Sequence, residues 1–396
     1  MIVNRTIIPN DSFLHAWLDR FSNTEVFPSW VILTGLAVVG VILRRNVCFD
    51  QGQSGKIWPN TSVLLVGPSG SGKDTIINPA CDLIDNVGGQ SVAGRTLEAV
   101  KESLTQMGNP AVGYINASEL ADFLGCKDYQ AGLVQALTDI LSNKEHIDVS
   151  LKGDITKGGA RKIHRPTLTM FAGSTAEWLQ GMLPDGSLDG GFIPRFVVAA
   201  EHSKAEAGIR PIANPGKFES FDQRTRVFKG ETLFTDCLID LAQRTALDPE
   251  QTPWKMNETN GEDDAEGWYV NWYANRFTKF SPLLQAYASR SSGLLRRLGM
   301  LMAITRGHIN HIEEEDYHFG DAVIAHAAER LESAVIPQSR EVKVGWEIIR
   351  LLPATQPELL RTLAGKHGTM WVKRGLGYLL ESEQIQTKEG TFIVHE

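Results

Sequence analysis

The chain has 396 residues, of which 42% are apolar and 22% are charged, and its formal net charge is −8. This length predicts two or three domains, and the composition is that of a globular protein with a sizeable core. The acidic balance excludes a surface coated in basic charge, but basic residues confined to a channel or one small domain would still allow nucleic-acid contact. The four cysteines lack the spacing of metal ligands or disulfide pairs, which predicts buried thiols in a reducing compartment.

Residues 12–45 are predicted to be helical and include an apolar run from Trp30 to Leu43. This run is shorter than the roughly 20 residues that a membrane-spanning helix needs, so we expect a buried helix. No secretory signal opens the chain, which predicts a cytoplasmic protein without a membrane partner. Residues 50–60 are predicted to form a polar loop.

Short apolar runs then alternate with amphipathic segments. The runs predict strands at Ser62–Val66, Ala111–Ile115, Thr167–Ala172 and Phe196–Ala200. Helices are predicted at 73–85, 96–106, 118–125, 129–143 and 175–183. This alternation predicts an α/β core with a mostly parallel sheet. Between His146 and His164, alternating residues around the turn Lys157-Gly158-Gly159 predict a β-hairpin inserted in that core.

The second half of the chain has a helical pattern. Helices are predicted at 265–280, 282–306 and 313–334, and the acidic segment 248–267 is predicted to be an exposed loop. Three further helices, near 340–352, 356–365 and 369–382, precede a hairpin at 384–394, which together indicate a winged-helix module. The predicted organisation is a helical region 1–58, a core 59–215, a helical lid region 216–336 and the winged-helix module 337–396.

The segment that follows the first predicted strand is rich in glycine. It reads Gly67-Pro68-Ser69-Gly70-Ser71-Gly72-Lys73 and matches the pattern G-x-x-x-x-G-K between a strand and a helix. Glycines let the backbone N–H groups surround phosphate oxygens, the helix N-terminus adds a positive dipole end, and Lys73 adds a point charge. We therefore predict that residues 67–75 bind the phosphates of ATP.

Asp74 occupies the position where this pattern has a Mg²⁺-binding serine or threonine, and Thr75 follows one residue later. A carboxylate can hold Mg²⁺ directly or through water, although it also repels the triphosphate. Since two charges 4 Å apart near a surface interact by about 4 kcal/mol, attraction to a divalent ion can outweigh that repulsion. We favour Asp74 near the metal, with loss of activity as the alternative.

A catalytic acid is expected at the end of a strand neighbouring the glycine-rich loop. After Ala111–Ile115, Glu119 is the candidate for the base that activates water and for a metal ligand, and Ser118 stands where an aspartate is usual. The alternative for Glu119 is a glutamate that stabilises a helix start. After Thr167–Ala172, Ser174 either senses the terminal phosphate or caps a helix, as does Thr175.

Several segments in chain order resemble the P-loop ATPase module of phage and prophage primase–helicase proteins, which are related to superfamily 3 replicative helicases. Besides the glycine-rich loop, these segments are Arg44-Arg45, Trp58-Pro59-Asn60, Ser118-Glu119-Leu120, Arg165-Pro166-Thr167, Gly173-Ser174-Thr175 and Gly190-Gly191-Phe192-Ile193-Pro194-Arg195-Phe196. The resemblance spans about residues 25–335. It implies a RecA/AAA+-like core, ATP and Mg²⁺ bound between subunits of a homo-oligomeric ring, and ATP-driven movement of DNA in a bacterial host. It also implies that Arg195 reaches the neighbouring subunit's terminal phosphate.

The basic residues predict where DNA binds. On the inserted hairpin, Lys157 lies nearest the tip and is accompanied by Arg161 and Lys162, which suits backbone contact with single-stranded DNA in a channel. In the winged-helix module, Lys373 and Arg374 lie on the expected recognition helix and Lys388 lies in the wing, which suits duplex DNA. A solvated hairpin and a packing module are the alternatives. The chain contains no visible primase domain, so a priming partner would be separate.

Two other functions remain open at this point. Gly72-Lys73-Asp74-Thr75 also resembles some phage deoxynucleoside monophosphate kinases, although a kinase would not explain the hairpin or the terminal module. The departures at Asp74 and Ser118 leave open a nucleotide-gated DNA-binding or loader protein that hydrolyses ATP slowly.

Overall fold

The structure is a computed structural model. It describes residues 8–10, 12–94, 96–124, 127–149, 161–182, 191–204, 209, 234–246, 253–259, 264–280, 284–335, 344, 348–349, 351–381, 385–388 and 390–394. The chain divides into two units, residues 1–335 and residues 336–396.

The first unit contains helices and strands in alternation. In chain order they are α1 (Phe13–Phe21), α2 (Pro28–Leu43), β1 (Val47–Asp50), β2 (Lys56–Ile57), β3 (Ser62–Val66), α3 (Lys73–Asn86), α4 (Leu97–Gln106), β4 (Val112–Ala117), α5 (Leu120–Leu124), α6 (Lys127–Ile140), β5 (His146–Val149), β6 (Arg161–His164), β7 (Thr167–Ser174), α7 (Ala176–Met182), β8 (Phe196–Ala200), α8 (Phe234–Thr245), β9 (Trp254–Glu258), α9 (Ala265–Asn275), α10 (Gln285–Thr305), β10 (His311–Ile312) and α11 (Glu314–Val335).

The apolar helix α2 is buried from Ser29 to Leu43, as its sequence predicts. Pro28 occupies its first turn, where a missing N–H costs nothing. It packs against α1, α3 and the central sheet, and Trp17 of α1 donates from Nε1 to Val31 O at 3.0 Å. None of the described helices is long and apolar enough to cross a membrane.

The described residues form a central sheet of four parallel strands in the order β4-β7-β3-β8. Every residue of β3, β7 and β8 is buried, as expected for strands covered on both faces. The predicted α/β core with a parallel sheet is therefore confirmed. One expectation was wrong: β4, which leads to Glu119, does not neighbour β3, because β7 lies between them.

A second sheet, in the order β10-β9-β1-β2, lies in segments predicted to be loops. Strand β9 lies within the acidic segment 248–267. Strand β1 ends at the first residue of the segment 50–60, and β2 lies inside that segment. Both loop predictions were wrong at these positions. In β9 only Met256 is buried, so no apolar periodicity marked it as a strand. Backbone pairing with β1 and β10 stabilises it instead, with an ion pair from Lys255 to Asp50 at 2.7 Å.

The inserted hairpin is present at its base. Strands β5 and β6 pair in antiparallel fashion, with Ile147 opposite Ile163, while the predicted tip at 150–160 lies outside the described residues. The last residue of β6, His164, accepts a hydrogen bond from Ala111 N at 2.9 Å. This contact places the hairpin base at the amino-terminal ends of β4 and β7, which is the opposite edge of the sheet from the glycine-rich loop.

A buried arginine holds the hairpin base to the sheet. Arg45 donates from Nε to Thr167 Oγ1 at 2.8 Å and from Nη2 to Asn143 O at 2.9 Å, and its guanidinium lies 4.7 Å from the Trp58 ring centroid. Burial lowers the pKa of Arg45, and Glu145 acts in the opposite sense. Arg45, Trp58 and Thr167 belong to three of the segments that carry the resemblance, and these segments are therefore in contact in the fold.

The second unit contains β11 (Ala354–Thr355), α12 (Gln356–His367), α13 (Thr369–Glu381), β12 (Ile385–Lys388) and β13 (Thr391–Val394). Thr355 and Glu358 form a capping box at the start of α12. The strands pair in the order β11-β13-β12, and the side chains between helices and sheet form an apolar core that includes Leu359, Leu363, Leu376 and Phe392. Two predicted helices and the hairpin are confirmed, β11 was not predicted, and most of the predicted helix 340–352 lies outside the described residues.

Candidate functional site

The glycine-rich loop joins the carboxyl end of β3 to the first residue of α3. Gly67 N–H donates to Ser174 O at 3.1 Å, which ties the loop to the end of β7. Gly70 and Gly72 have φ values of 72° and 91°, in the left-handed region that glycine adopts most readily. Two of the motif glycines are therefore required by the path of the backbone.

The third motif glycine is required by packing. A Cβ atom at Gly67 would lie 2.8 Å from Cη2 of Trp30, so only a residue without a side chain allows this approach. Trp30 is fully buried and donates from Nε1 to Ala199 O at 3.1 Å. Through Trp30, helix α2 therefore contacts both the glycine-rich loop and β8.

Lys73 is the first residue of α3, directly after the loop, and it is only 6% exposed. Its ammonium group donates to Gly67 O at 3.1 Å, Pro68 O at 3.0 Å and Ser71 Oγ at 3.3 Å. Burial lowers its pKa, while Glu119, Asp74 and Glu177 act in the opposite sense. Among the described residues, no carboxylate forms a direct ion pair with Lys73, so this cation is held by neutral oxygens.

The negative charges of three carboxylates, which belong to three elements, act on Lys73. Asp74 is exposed on the first turn of α3, Glu119 is exposed at the residue before α5, and Glu177 is exposed on the first turn of α7. The sequence prediction included Asp74 and Glu119 but omitted Glu177. The signal for Glu177 was its position three residues after Ser174, which also fits an ordinary capping pattern.

Glu119 is positioned by a close backbone contact. A Cβ atom at Gly173 of β7 would lie 2.2 Å from Ser118 O and 3.3 Å from Lys73 Cδ. Ser118 N–H also donates to Asn116 Oδ1 at 3.1 Å. The absence of a side chain at Gly173 thus allows the segment after β4 to pass over β7 and bring Glu119 near Lys73, even though β4 and β3 are not neighbours.

The two hydroxyl candidates at the end of β7 have different surroundings. Thr175 Oγ1 accepts from Trp178 N at 3.3 Å and so caps α7. Ser174 is buried, pairs with Val66 in register and donates from Oγ to Thr175 O at 3.3 Å. Ser174 thus lies beside the start of the glycine-rich loop. Thr75 is exposed on α3, one residue beyond Asp74.

Arg195 lies at the other edge of the sheet, immediately before β8. It donates from Nη2 to Ser142 Oγ at 2.7 Å and from Nη1 to Gly191 O. Burial and the neighbouring charges of Arg290 and Arg297 lower its pKa to about 10. The structure does not bring Arg195 together with Lys73 or Glu119 within one chain.

The described DNA-contact candidates are accessible. Lys162 is exposed on β6, with its Nζ 3.9 Å from Asp148 Oδ1 across the hairpin. Arg161 belongs to β6, although its side chain, like all of Lys157, lies outside the described residues. In the second unit the side chains of Lys373, Arg374 and Lys388 are exposed on α13 and β12.

A buried polar network also adjoins the loop and was not predicted. Glu201, 6% exposed, donates from its backbone N–H to Val66 O at 2.8 Å. Its carboxylate accepts from Ser29 Oγ at 2.6 Å and pairs with His326 Nε2 at 3.1 Å. Burial raises the pKa of Glu201, but the hydrogen bonds from His326 and Ser29 outweigh it and leave that pKa below its usual value.

His308, His311 and Glu313 form a separate cluster whose candidate metal-ligand atoms lie within 4.8 Å of one another. Glu313 Oε1 lies 3.7 Å from His308 Nδ1 and 3.5 Å from His311 Nε2. The two imidazole rings stack, with centroids 4.4 Å apart and planes inclined by 21°. We assign no metal to this cluster.

The chain matches no known protein-family model, and no curated protein is significantly similar to it in sequence.

Proposed function

We propose that this chain is an ATP-driven DNA translocase or helicase of the phage-replication type, which works as a homo-oligomeric ring with ATP bound between subunits. The observation that carries the proposal is the buried Lys73 ammonium, held only by neutral oxygens in a glycine-rich loop at a helix N-terminus. A buried cation of this kind favours an anionic ligand, because an anion offsets the cost of removing its charge from water. Phosphate groups suit such a loop.

In this proposal each residue near Lys73 has a defined task. The loop N–H groups and Lys73 bind the outer phosphates of ATP, and Asp74 and Glu119 would hold Mg²⁺. Carboxylate oxygens are the donors that Mg²⁺ prefers, and the electrostatic effect of both groups on Lys73 supports this assignment. Bound Mg²⁺ would neutralise charge that develops on the phosphates. Glu119 accepts the proton of the attacking water, and Ser174 orients that water beside the loop.

The same proposal assigns the basic surfaces to DNA. The β5–β6 hairpin, with Arg161, Lys162 and the tip residue Lys157, contacts single-stranded DNA in the ring channel. The second unit, whose two helices and three strands support a winged-helix assignment, contacts duplex DNA through Lys373, Arg374 and Lys388. Arg195 acts on ATP of the adjacent subunit.

Hydrolysis in the presence and absence of single-stranded DNA tests the proposal, with Glu119→Gln as the variant. We expect DNA to stimulate hydrolysis, and Glu119→Gln to lower the rate by about 10²–10⁴-fold because the general base is lost. ATP binding should remain in the variant. Glu98→Gln, an exposed glutamate in the first turn of α4, is the matched control and should leave the rate unchanged.

Three results would lead to other conclusions. Transfer of phosphate to a deoxynucleoside monophosphate would replace the proposal with a kinase. Tight ATP binding with negligible hydrolysis would favour the nucleotide-gated loader, for which Asp74 and Ser118 are the specific support. DNA-independent hydrolysis that Glu119→Gln does not reduce would contradict the motor and its assigned base together.

A further inference from the structure

Helix α9 carries apolar side chains on two sides, and one of these sides faces solvent. The buried side packs on α11, where Trp272 donates from Nε1 to Asp321 Oδ1 at 2.6 Å. The other side carries Val270, which is 61% exposed, and Tyr273, which is 45% exposed and lies one turn further along. Phe277, in the 3₁₀ helix that follows α9, is 39% exposed. A helix that is apolar on all sides is normally buried, so this exposed face indicates a binding surface.

Arg276 lies against both exposed rings. Its guanidinium carbon is 3.6 Å from the Tyr273 ring centroid and 4.2 Å from the Phe277 ring centroid. The guanidinium also donates from Nη1 to Tyr273 O, which holds the side chain at the end of the helix. Two rings and one cationic plane are therefore grouped on the surface, and with Val270 they form what we call the α9 patch.

The segment that contains the α9 patch is basic, although the chain is acidic. From residue 267 to residue 280 the sequence contains Arg276 and Lys279 but no aspartate or glutamate, whereas the net charge of the whole chain is −8. Nucleic acid complements such a segment, because it brings one phosphate with each base. Aromatic rings and guanidinium planes both stack on bases. In a duplex the bases already stack on one another, so exposed rings beside a cation favour a single strand.

We propose that the α9 patch binds single-stranded nucleic acid, with bases stacked on Tyr273 and Phe277 and a backbone phosphate on the Arg276 guanidinium. This site goes beyond the proposed function, because neither the β5–β6 hairpin nor the second unit contributes to it. Binding at the patch requires neither ATP nor hydrolysis. The patch and the proposed motor can therefore be tested separately.

Fluorescence anisotropy of a labelled oligothymidylate tests the proposal in the full chain without ATP. The oligomer has about 20 nucleotides, more than the roughly 4–16 that one single-strand site covers. The titration is made at raised salt, where contacts with phosphates weaken and stacking remains. Tyr273→Ala and Phe277→Ala should each lower the affinity about 5–150-fold, as for the loss of one stacked base. Tyr273→Trp keeps a ring and should bind like the wild type, as should the matched control Ile239→Ala on α8, where Ile239 is 38% exposed.

Charge substitutions at Val270 test the same surface without removing a packed group, because this side chain is largely exposed. Val270→Lys should tighten the binding of oligothymidylate and steepen its salt dependence by about 0.7 in logarithmic slope, for one added phosphate contact on a single strand. Val270→Glu should weaken the binding. If both variants bind like the wild type, the proposal is overturned, even where Tyr273→Ala or Phe277→Ala fails to fold.

Other outcomes separate the α9 patch from a protein contact and from the proposed motor. A protein with both Tyr273→Ala and Phe277→Ala that binds oligothymidylate normally but no longer self-associates in sedimentation would assign the patch to a contact between copies, which overturns the proposal. A wild type that binds oligothymidylate through the patch but does not hydrolyse ATP would contradict the motor and support the patch. DNA-stimulated hydrolysis by a wild type whose patch variants bind equally well would overturn the patch alone.

Discussion

Gly173 offers a direct test of how the site is assembled, because one added methyl group would enter its most crowded contact. The Cβ of Gly173→Ala would lie 2.2 Å from Ser118 O and 3.3 Å from Lys73 Cδ. The first distance is far below van der Waals contact, so the segment that carries Glu119 must move by about 1 Å at a cost of about 1–3 kcal/mol. A displacement of this size in a catalytic group reduces hydrolysis by about 10²-fold.

The assay compares denaturant unfolding, ATP binding and ATP hydrolysis for Gly173→Ala and for Gly132→Ala. Gly132 lies in α6 with nothing within 4 Å of its added Cβ, so alanine there should stabilise the helix by about 1 kcal/mol. We expect Gly173→Ala to lose both stability and hydrolysis while Gly132→Ala loses neither. A Gly173→Ala protein with wild-type stability and hydrolysis would refute the packing of Ser118 over β7, and with it the position of Glu119.

The remaining predictions concern the contact between Gly67 and Trp30, the polar network of Glu201 and the β5–β6 hairpin. Gly67→Ala should weaken ATP binding because its Cβ would lie 2.8 Å from Trp30, and adding Trp30→Phe should restore part of the affinity in a titration. If the double variant binds ATP as weakly as Gly67→Ala alone, this contact is contradicted. Glu201→Gln should lower the free energy of unfolding at pH 7 by about 3 kcal/mol, since it leaves the buried His326 and the half-buried Arg330 without their carboxylate. Burial raises the pKa of Glu201, but its hydrogen bonds lower that pKa by more, so the net pKa lies below the usual value of 4.5. Wild type therefore loses this stabilisation as the pH falls below 4.5, and the unfolding curves of wild type and Glu201→Gln should converge in acid. A constant difference at all pH values would contradict this prediction. Lys162→Glu on the hairpin should weaken binding of single-stranded DNA and reduce its salt dependence, whereas Lys56→Glu on β2 should not, and equal effects would exclude the hairpin as the DNA contact.

The sequence was sufficient to predict the elements that bury apolar side chains. Strands β3 and β8 begin and end where their apolar runs do, and α2 is buried as its composition indicates. In contrast, β9 was predicted to be a loop because Met256 is its one buried residue and its stability comes from pairing with distant strands. Patterns of hydrophobicity report burial, whereas backbone pairing of an exposed strand leaves little trace in them.

The candidate site likewise contains residues that the sequence could predict and residues that only the fold brings together. The glycine-rich loop could be located because its glycines and Lys73 are contiguous, and the roles of Gly70 and Gly72 follow from backbone conformation. The contact of Trp30 with Gly67 could not be predicted, since 36 residues separate the two in sequence and a tryptophan in an apolar helix resembles any core residue.

The central claim is that the glycine-rich loop binds ATP through Lys73, and an equilibrium titration of the full chain with ATP and Mg²⁺ tests it most directly. Wild type should bind ATP, and Lys73→Ala should bind it about 10–100-fold more weakly, because loss of a hydrogen bond from a charged donor costs about 1.5–3 kcal/mol. The unfolding curve of the variant serves as the control for folding. A folded Lys73→Ala protein with wild-type affinity, or a wild type that binds no ATP, would contradict the account.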